Sequence, residues 1–149
     1  MASRASIRKH PIHPILVPLP IGLWIFSLAC DVVYLFVSTN AVWDQMAFYT
    51  MVGGVAGALL AALPGFIDFL SLSDPPVKRI ALTHMLVNLT VVILFAANLL
   101  LRAASPPGAP APMVLSVVGV ILLGVAGWLG GELVFRHGVG VERQPPMIG

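Results

Sequence analysis

Four unbroken apolar stretches, residues 15–37, 46–70, 80–101 and 113–135, govern what this chain can fold into. A helix needs ~20 apolar residues to cross a ~30 Å hydrocarbon core, and each stretch meets that length. The rest of the composition agrees. Only 9% of residues are charged and the mean hydropathy is +0.98. About a quarter of a soluble domain's residues are charged, so this supply cannot cover a water-facing surface. A soluble enzyme is excluded, as is a disordered chain, which needs low hydrophobicity. The runs are continuously apolar rather than alternating, which disfavours a β-barrel. The expected fold is all-α: one integral membrane domain over residues 1–149, an antiparallel four-helix bundle joined by short connections.

Those connections carry the turn signals. Residues 38–45 hold Asn40, Trp43 and Asp44, a helix cap and an interface aromatic. Residues 71–79 hold Asp74-Pro75-Pro76, and residues 102–112 form a Pro-rich linker expected to be non-helical. Arg4, Arg8, Lys9, Lys78, Arg79, Arg136 and Arg143 fall on one side of the spans and Arg102 alone on the other. The positive-inside rule therefore predicts that both termini are cytoplasmic. Eight dispersed bases do not make a nucleic-acid surface. The single cysteine, Cys30, cannot form an intramolecular disulfide. Ser27-Leu28-Ala29-Cys30 loosely matches a lipoprotein cleavage box, but the apolar run continues to Val37 and argues against cleavage. Gly53, Gly57 and Ala61 on the second span, and Gly127 and Gly131 on the fourth, are spaced for close helix contact. Such faces pack the bundle, make room for a flat cofactor, or support a homo-oligomer.

Polar residues inside the spans are costly unless paired, so they mark candidate sites. At ~1.5 Å per residue, His13, Asp68, His84 and Glu132 fall at similar depth near the terminal end of four different spans. His10-Pro11-Ile12-His13-Pro14 leads into the first span, and a residue before proline is pushed out of the α region, so both histidines are expected to be extended. Asn88 lies one turn beyond His84 on the same face. Each residue also has a purely structural explanation. Glu132 can pair with Arg136 at i,i+4, Asp68 with Lys78 or Arg79, and His137 can cap the helix before Gly138. At the far side, Asp31 and Asn98 can hydrogen-bond as packing glue.

His-Pro-x-His-Pro at 10–14, Pro18-x-Pro-Ile-Gly22, Pro64-Gly-x-x-Asp68, His84 and the run from Gly130-Gly-Glu-Leu-Val134 to Gly138-Val-Gly140 resemble a known pattern. The pattern is that of the bacterial four-span membrane family called "domain of unknown function 2231". The resemblance implies a multi-pass protein of the bacterial inner (plasma) membrane. Relatives fused to Rieske or cytochrome c modules imply membrane redox chemistry, although this chain has neither a Rieske-type Cys/His cluster nor a Cys-x-x-Cys-His.

Two classes of function follow. The first is a redox-linked haem b or transition-metal centre. In the haem version His13 and His84 are the axial pair, with Asn88 beside them and Arg79 or Arg136 on the propionates. In the metal version His13, His84, Asp68 and Glu132 are the ligands, oriented by Asn88 or His137. Expected partners are the lipid bilayer and a membrane or periplasmic redox protein, with no nucleic acid. The second class is a non-catalytic structural or partner subunit whose polar layer is an internal hydrogen-bond network. Proton translocation is weaker, since the polar residues do not continue across the membrane. No placed nucleophile or phosphate loop supports hydrolase chemistry.

Overall fold

A computed structural model describes residues 3–141 of the chain. A short hairpin, β1 (Ser6–Ile7) and β2 (His10–Pro11), precedes five helices. These are α1 (Ile12–Leu16), α2 (Pro18–Phe36), α3 (Ala41–Leu70), α4 (Pro75–Ala103) and α5 (Pro110–Phe135). α1 and α2 together form the first of four spans long and apolar enough to cross a membrane, and α3, α4 and α5 are the others. The expected all-α four-span bundle is present.

The helices begin earlier than apolarity alone suggested, and the reason is local chemistry. Asn40 accepts a hydrogen bond from the Val42 N–H at 3.0 Å and starts α3. Prolines at the first positions start α4 and α5, because the N–H that proline lacks is unpaired there anyway. This corrects the expected non-helical stretch 102–112: α4 continues to Ala103 and α5 already contains Pro110 and Pro112. Pro18 and Pro20 cannot donate to the preceding turn, and the first span breaks at Val17 between α1 and α2. Pro64 is absorbed within α3 without ending it.

α2 pairs with α3 and α4 with α5 as two antiparallel hairpins. α3 then packs on α4, and α2 on α5, closing the ring. α2 and α4 therefore lie on one diagonal, α3 and α5 on the other. The core between them is Trp24, Met51, Val91, Phe95 and Leu123. Trp24 and Phe95 stack across the diagonal with ring centres 4.4 Å apart and planes 8° from parallel. Each ring rests on a glycine of its own hairpin. A Cβ on Gly54 would collide with the Trp24 indole, and one on Gly119 would come within 2.8 Å of Phe95. Leu59, Leu63, Leu100, Ile121 and Trp128 face outward, as a lipid-facing surface requires.

Candidate functional site: a histidine pair at the terminal end of the bundle

Three helical turns from the aromatic stack, towards the chain ends, the same construction recurs with imidazoles. His13 on α1 donates its Nδ1–H to the Ala61 carbonyl of α3 at 2.8 Å. His84 on α4 donates its Nδ1–H to the Ala126 carbonyl of α5 at 2.9 Å. A carbonyl only accepts, so both rings carry the proton on Nδ1, which leaves each Nε2 with a lone pair when the ring is neutral. The ring centres are 6.4 Å apart and the planes cross at 88°. Glycine again makes the seat. A Cβ on Gly65 would lie 2.8 Å from His13 Nδ1, and one on Gly130 would lie 3.1 Å from His84 Cε1.

Asn88 keeps its place beside His84. Its Nδ2 donates to the His84 carbonyl at 2.8 Å and lies 3.2 Å from Nε2 of the ring. His13 departs from the expected extended conformation, because Ile12, His13 and Pro14 occupy the first turn of α1. Proline is tolerated there, and helical backbone at His13 carries its ring inward against α3. His10 stays extended in β2, exposed, with Nδ1–H donated to the Arg8 carbonyl at 2.9 Å.

The four-ligand metal set is not assembled. Among the described residues no three of His, Cys, Asp and Glu are grouped to hold a metal ion. The two acids are committed elsewhere. Asp68 Oδ1 accepts from the Ala5 N–H at 3.0 Å and from the Ser3 hydroxyl at 2.8 Å, which ties the N-terminal segment to α3. The expected alternative partners, Lys78 and Arg79, do not reach it. Lys78 lies over the Phe69 ring, 5.4 Å from its centre, and Arg79 is exposed. Glu132 pairs with Arg136 at 3.4 Å, the guanidinium side being 76% exposed. His137 and Gly138 lie at the end of α5, where the positive φ of 62° at Gly138 turns the chain away. Arg143 lies outside the described residues.

The far polar layer has a centre that sequence alone did not indicate. Arg102 folds back into the bundle and forms an ion pair with Asp31, both side chains only 8% exposed. Ser116 joins them: its hydroxyl donates to Asp31 Oδ2 at 3.4 Å and accepts from Asn98 Nδ2 at 2.9 Å. Asn98 and Asp31 thus communicate through Ser116. The Trp24–Phe95 core separates this layer from the histidines, and no hydrogen bond among the described residues bridges it.

A family model described as "Predicted membrane protein (DUF2231)" matches residues 9–143, from the turn before His10 through all four spans. The chain belongs to the DUF2231 family. No curated protein and no solved structure matches it. In this DUF2231 chain, sequence reasoning missed the seats of the two rings: Ala61 with Gly65, and Ala126 with Gly130. A usable signal was present. On both hairpins a histidine precedes an aromatic residue by eleven positions, and an alanine is followed four residues later by glycine.

Proposed function

We propose that this DUF2231 protein is a small redox-linked membrane module whose centre is haem b held between His13 and His84. The observation that carries the reading is the separation of the two rings. An imidazole nitrogen binds a transition metal at about 2.0–2.1 Å and lies about 1.1 Å from its own ring centre, so two imidazoles facing one ion have centres about 6.3 Å apart. The rings here stand at 6.4 Å. Their Nδ1–H groups are already donated to backbone carbonyls, the arrangement that fixes tautomer and raises ligand basicity in metal-binding histidines.

The donor set fits haem better than a bare ion. Haem brings its own equatorial nitrogens and asks the protein for one or two axial ligands. A bare transition-metal ion usually takes three or four protein ligands, and the carboxylates that would complete them are used by Ser3, Ala5 and Arg136. Haem held by both His13 and His84 would supply one-electron transfer. Gly65 and Gly130 let the rings approach the bundle axis, and Ala61 and Ala126 hold them there. Asn88 Nδ2 donates to the His84 carbonyl and lies 3.2 Å from Nε2 of the ring, so its amide would have to turn aside for that nitrogen to bind iron. Arg79 or Arg136 would meet the propionates. The exposed Glu132–Arg136 pair is worth only about 0.3–0.5 kcal/mol and is readily exchanged for a propionate contact. Six of the seven described basic residues lie at this end, which supports a cytoplasmic position in a bacterial inner membrane. A redox partner of this centre would then approach through the lipid plane, since a periplasmic one meets the opposite end of the bundle.

A second reading has its own support. Each imidazole already donates to a carbonyl, so the pair is also a complete internal hydrogen-bond network of a structural subunit. Haem and metal content of the purified protein separate the readings. About one haem per chain, lost in His84→Ala, supports the first. Stoichiometric bare metal moves the ligand to an ion. Protein free of both, whose His84→Ala variant is only less heat-stable, leaves the network.

A further inference from the structure

Numbering offsets link the contacts of the two hairpins. An offset of 71 carries His13 to His84, Trp24 to Phe95, Ser27 to Asn98 and Asp31 to Arg102. An offset of 65 carries Ala47 to Pro112, Gly54 to Gly119, Ala61 to Ala126 and Gly65 to Gly130. The contacts map with the residues. His13 on Ala61 becomes His84 on Ala126. Ser27 donating to the Ala47 carbonyl at 2.7 Å becomes Asn98 donating to the Pro112 carbonyl at 2.9 Å. Trp24 over Gly54 becomes Phe95 over Gly119.

We propose that the chain is a fused pair of equivalent helical hairpins related by a two-fold axis along the bundle, and that Asp31 and Arg102 decide which hairpins may pair. A residue that touches its own counterpart must straddle the axis. Three layers do so: His13 with His84, Trp24 with Phe95, and Asp31 with Arg102. The first two layers carry like with like and are compatible with either hairpin pairing with a copy of itself. The third is not. Two first hairpins would bring Asp31 against Asp31, and two second hairpins Arg102 against Arg102, in a site where the side chains are only 8% exposed and like charges are poorly screened. Only a first hairpin with a second one neutralises the axis. The partner surface of each hairpin is thus the other hairpin, from the same chain or from a second copy. The connection between hairpins is only the four residues 71–74, and short hinges favour exchange between copies.

This inference does not depend on haem. Full-length Asp31→Arg and full-length Arg102→Asp, tagged differently, are expressed separately and together. Each alone has like charges on the axis and accumulates poorly. Together, each first hairpin finds an opposite charge on the other chain's second hairpin, so the two variants are expected to co-purify one to one. The Asp31→Arg chain is expected not to retain the parent chain. Equal retention of the parent, or two variants that accumulate but stay apart, overturns the proposal. If the charge variants do not accumulate even together, an independent layer decides. Phe95→Trp alone is expected to lower the midpoint of heat unfolding, and adding Trp24→Phe to restore it to within about 3 °C of the parent. A double exchange no better than the single variant overturns the equivalence.

Discussion

His13 and His84 face each other across a diagonal of the bundle with ring centres 6.4 Å apart, each anchored through Nδ1–H to a carbonyl of the neighbouring helix in its own hairpin. A ligand between them therefore depends on both hairpins and on the small residues that seat the rings.

Gly65→Ala tests the seat directly. Its Cβ would lie 2.8 Å from Nδ1 and 2.9 Å from Cε1 of His13, so ring or helix must move. Overpacking of this kind costs about 1–3 kcal/mol. Gly130→Ala, with its closest approach at 3.1 Å, is expected to cost less. Gly124→Ala and Gly127→Ala meet nothing within 4 Å and should gain up to about 1 kcal/mol of helix propensity. Heat unfolding of the four variants in one detergent gives the order.

Removing Arg102 leaves Asp31 buried without its cation, whereas removing Asp31 leaves Arg102 with Asp44, 4.0 Å away. Arg102→Met is expected to cost about 3–5 kcal/mol and Asp31→Leu less, whereas Arg136→Ala, at an exposed pair, should stay within about 0.5 kcal/mol. Comparable losses at the two sites would contradict the burial difference.

Asp68→Ala leaves the Ala5 N–H and the Ser3 hydroxyl without their acceptor. An unsatisfied donor at a buried residue costs about 1–3 kcal/mol, and the effect is local because only the N-terminal segment is tied there. Amide exchange should quicken about tenfold or more around residues 5–12, while the centres of α4 and α5 keep their protection. Uniform quickening along the chain would show that Asp68 supports the whole bundle instead.

The orientation is testable without the site. Single cysteines in the Ser6–Pro11 hairpin, in a Cys30→Ala background, should be shielded from an impermeant thiol reagent in intact cells, and one in the loop around Gly108 should react. The reverse pattern would place the histidine pair at the outer face.

The four spans were legible because membrane crossing imposes a length and an apolarity that four helices among the described residues meet. The starts of α4 and α5 were less so: Pro75 and Pro110 read as breakers, although at the first helical positions they are starters. Depth counting placed His13, Asp68, His84 and Glu132 in one region, but depth does not give azimuth. His84 turned inward and found a backbone carbonyl, while Asp68 and Glu132 turned to partners nearer the helix ends. The true partner of Asp68 is Ala5, 63 residues away, through a backbone N–H that has no sequence signature. Arg102 read as an isolated loop charge because nothing local predicts that it folds back onto Asp31. The hairpin correspondence was present in the residue spacing, but apolar side chains substitute freely and hide it; only the contacts make it plain.

The most direct measurement is the absorption spectrum of the reduced, purified chain from haem-replete cells, taken for the parent and for His13→Ala and His84→Ala separately. The proposed haem centre predicts a sharp low-spin b-type spectrum in the parent, and its loss or conversion to a weaker high-spin form in both variants, since each hairpin would supply one of its two histidines. A parent with no Soret absorption, or a spectrum unchanged when either histidine is removed, contradicts it.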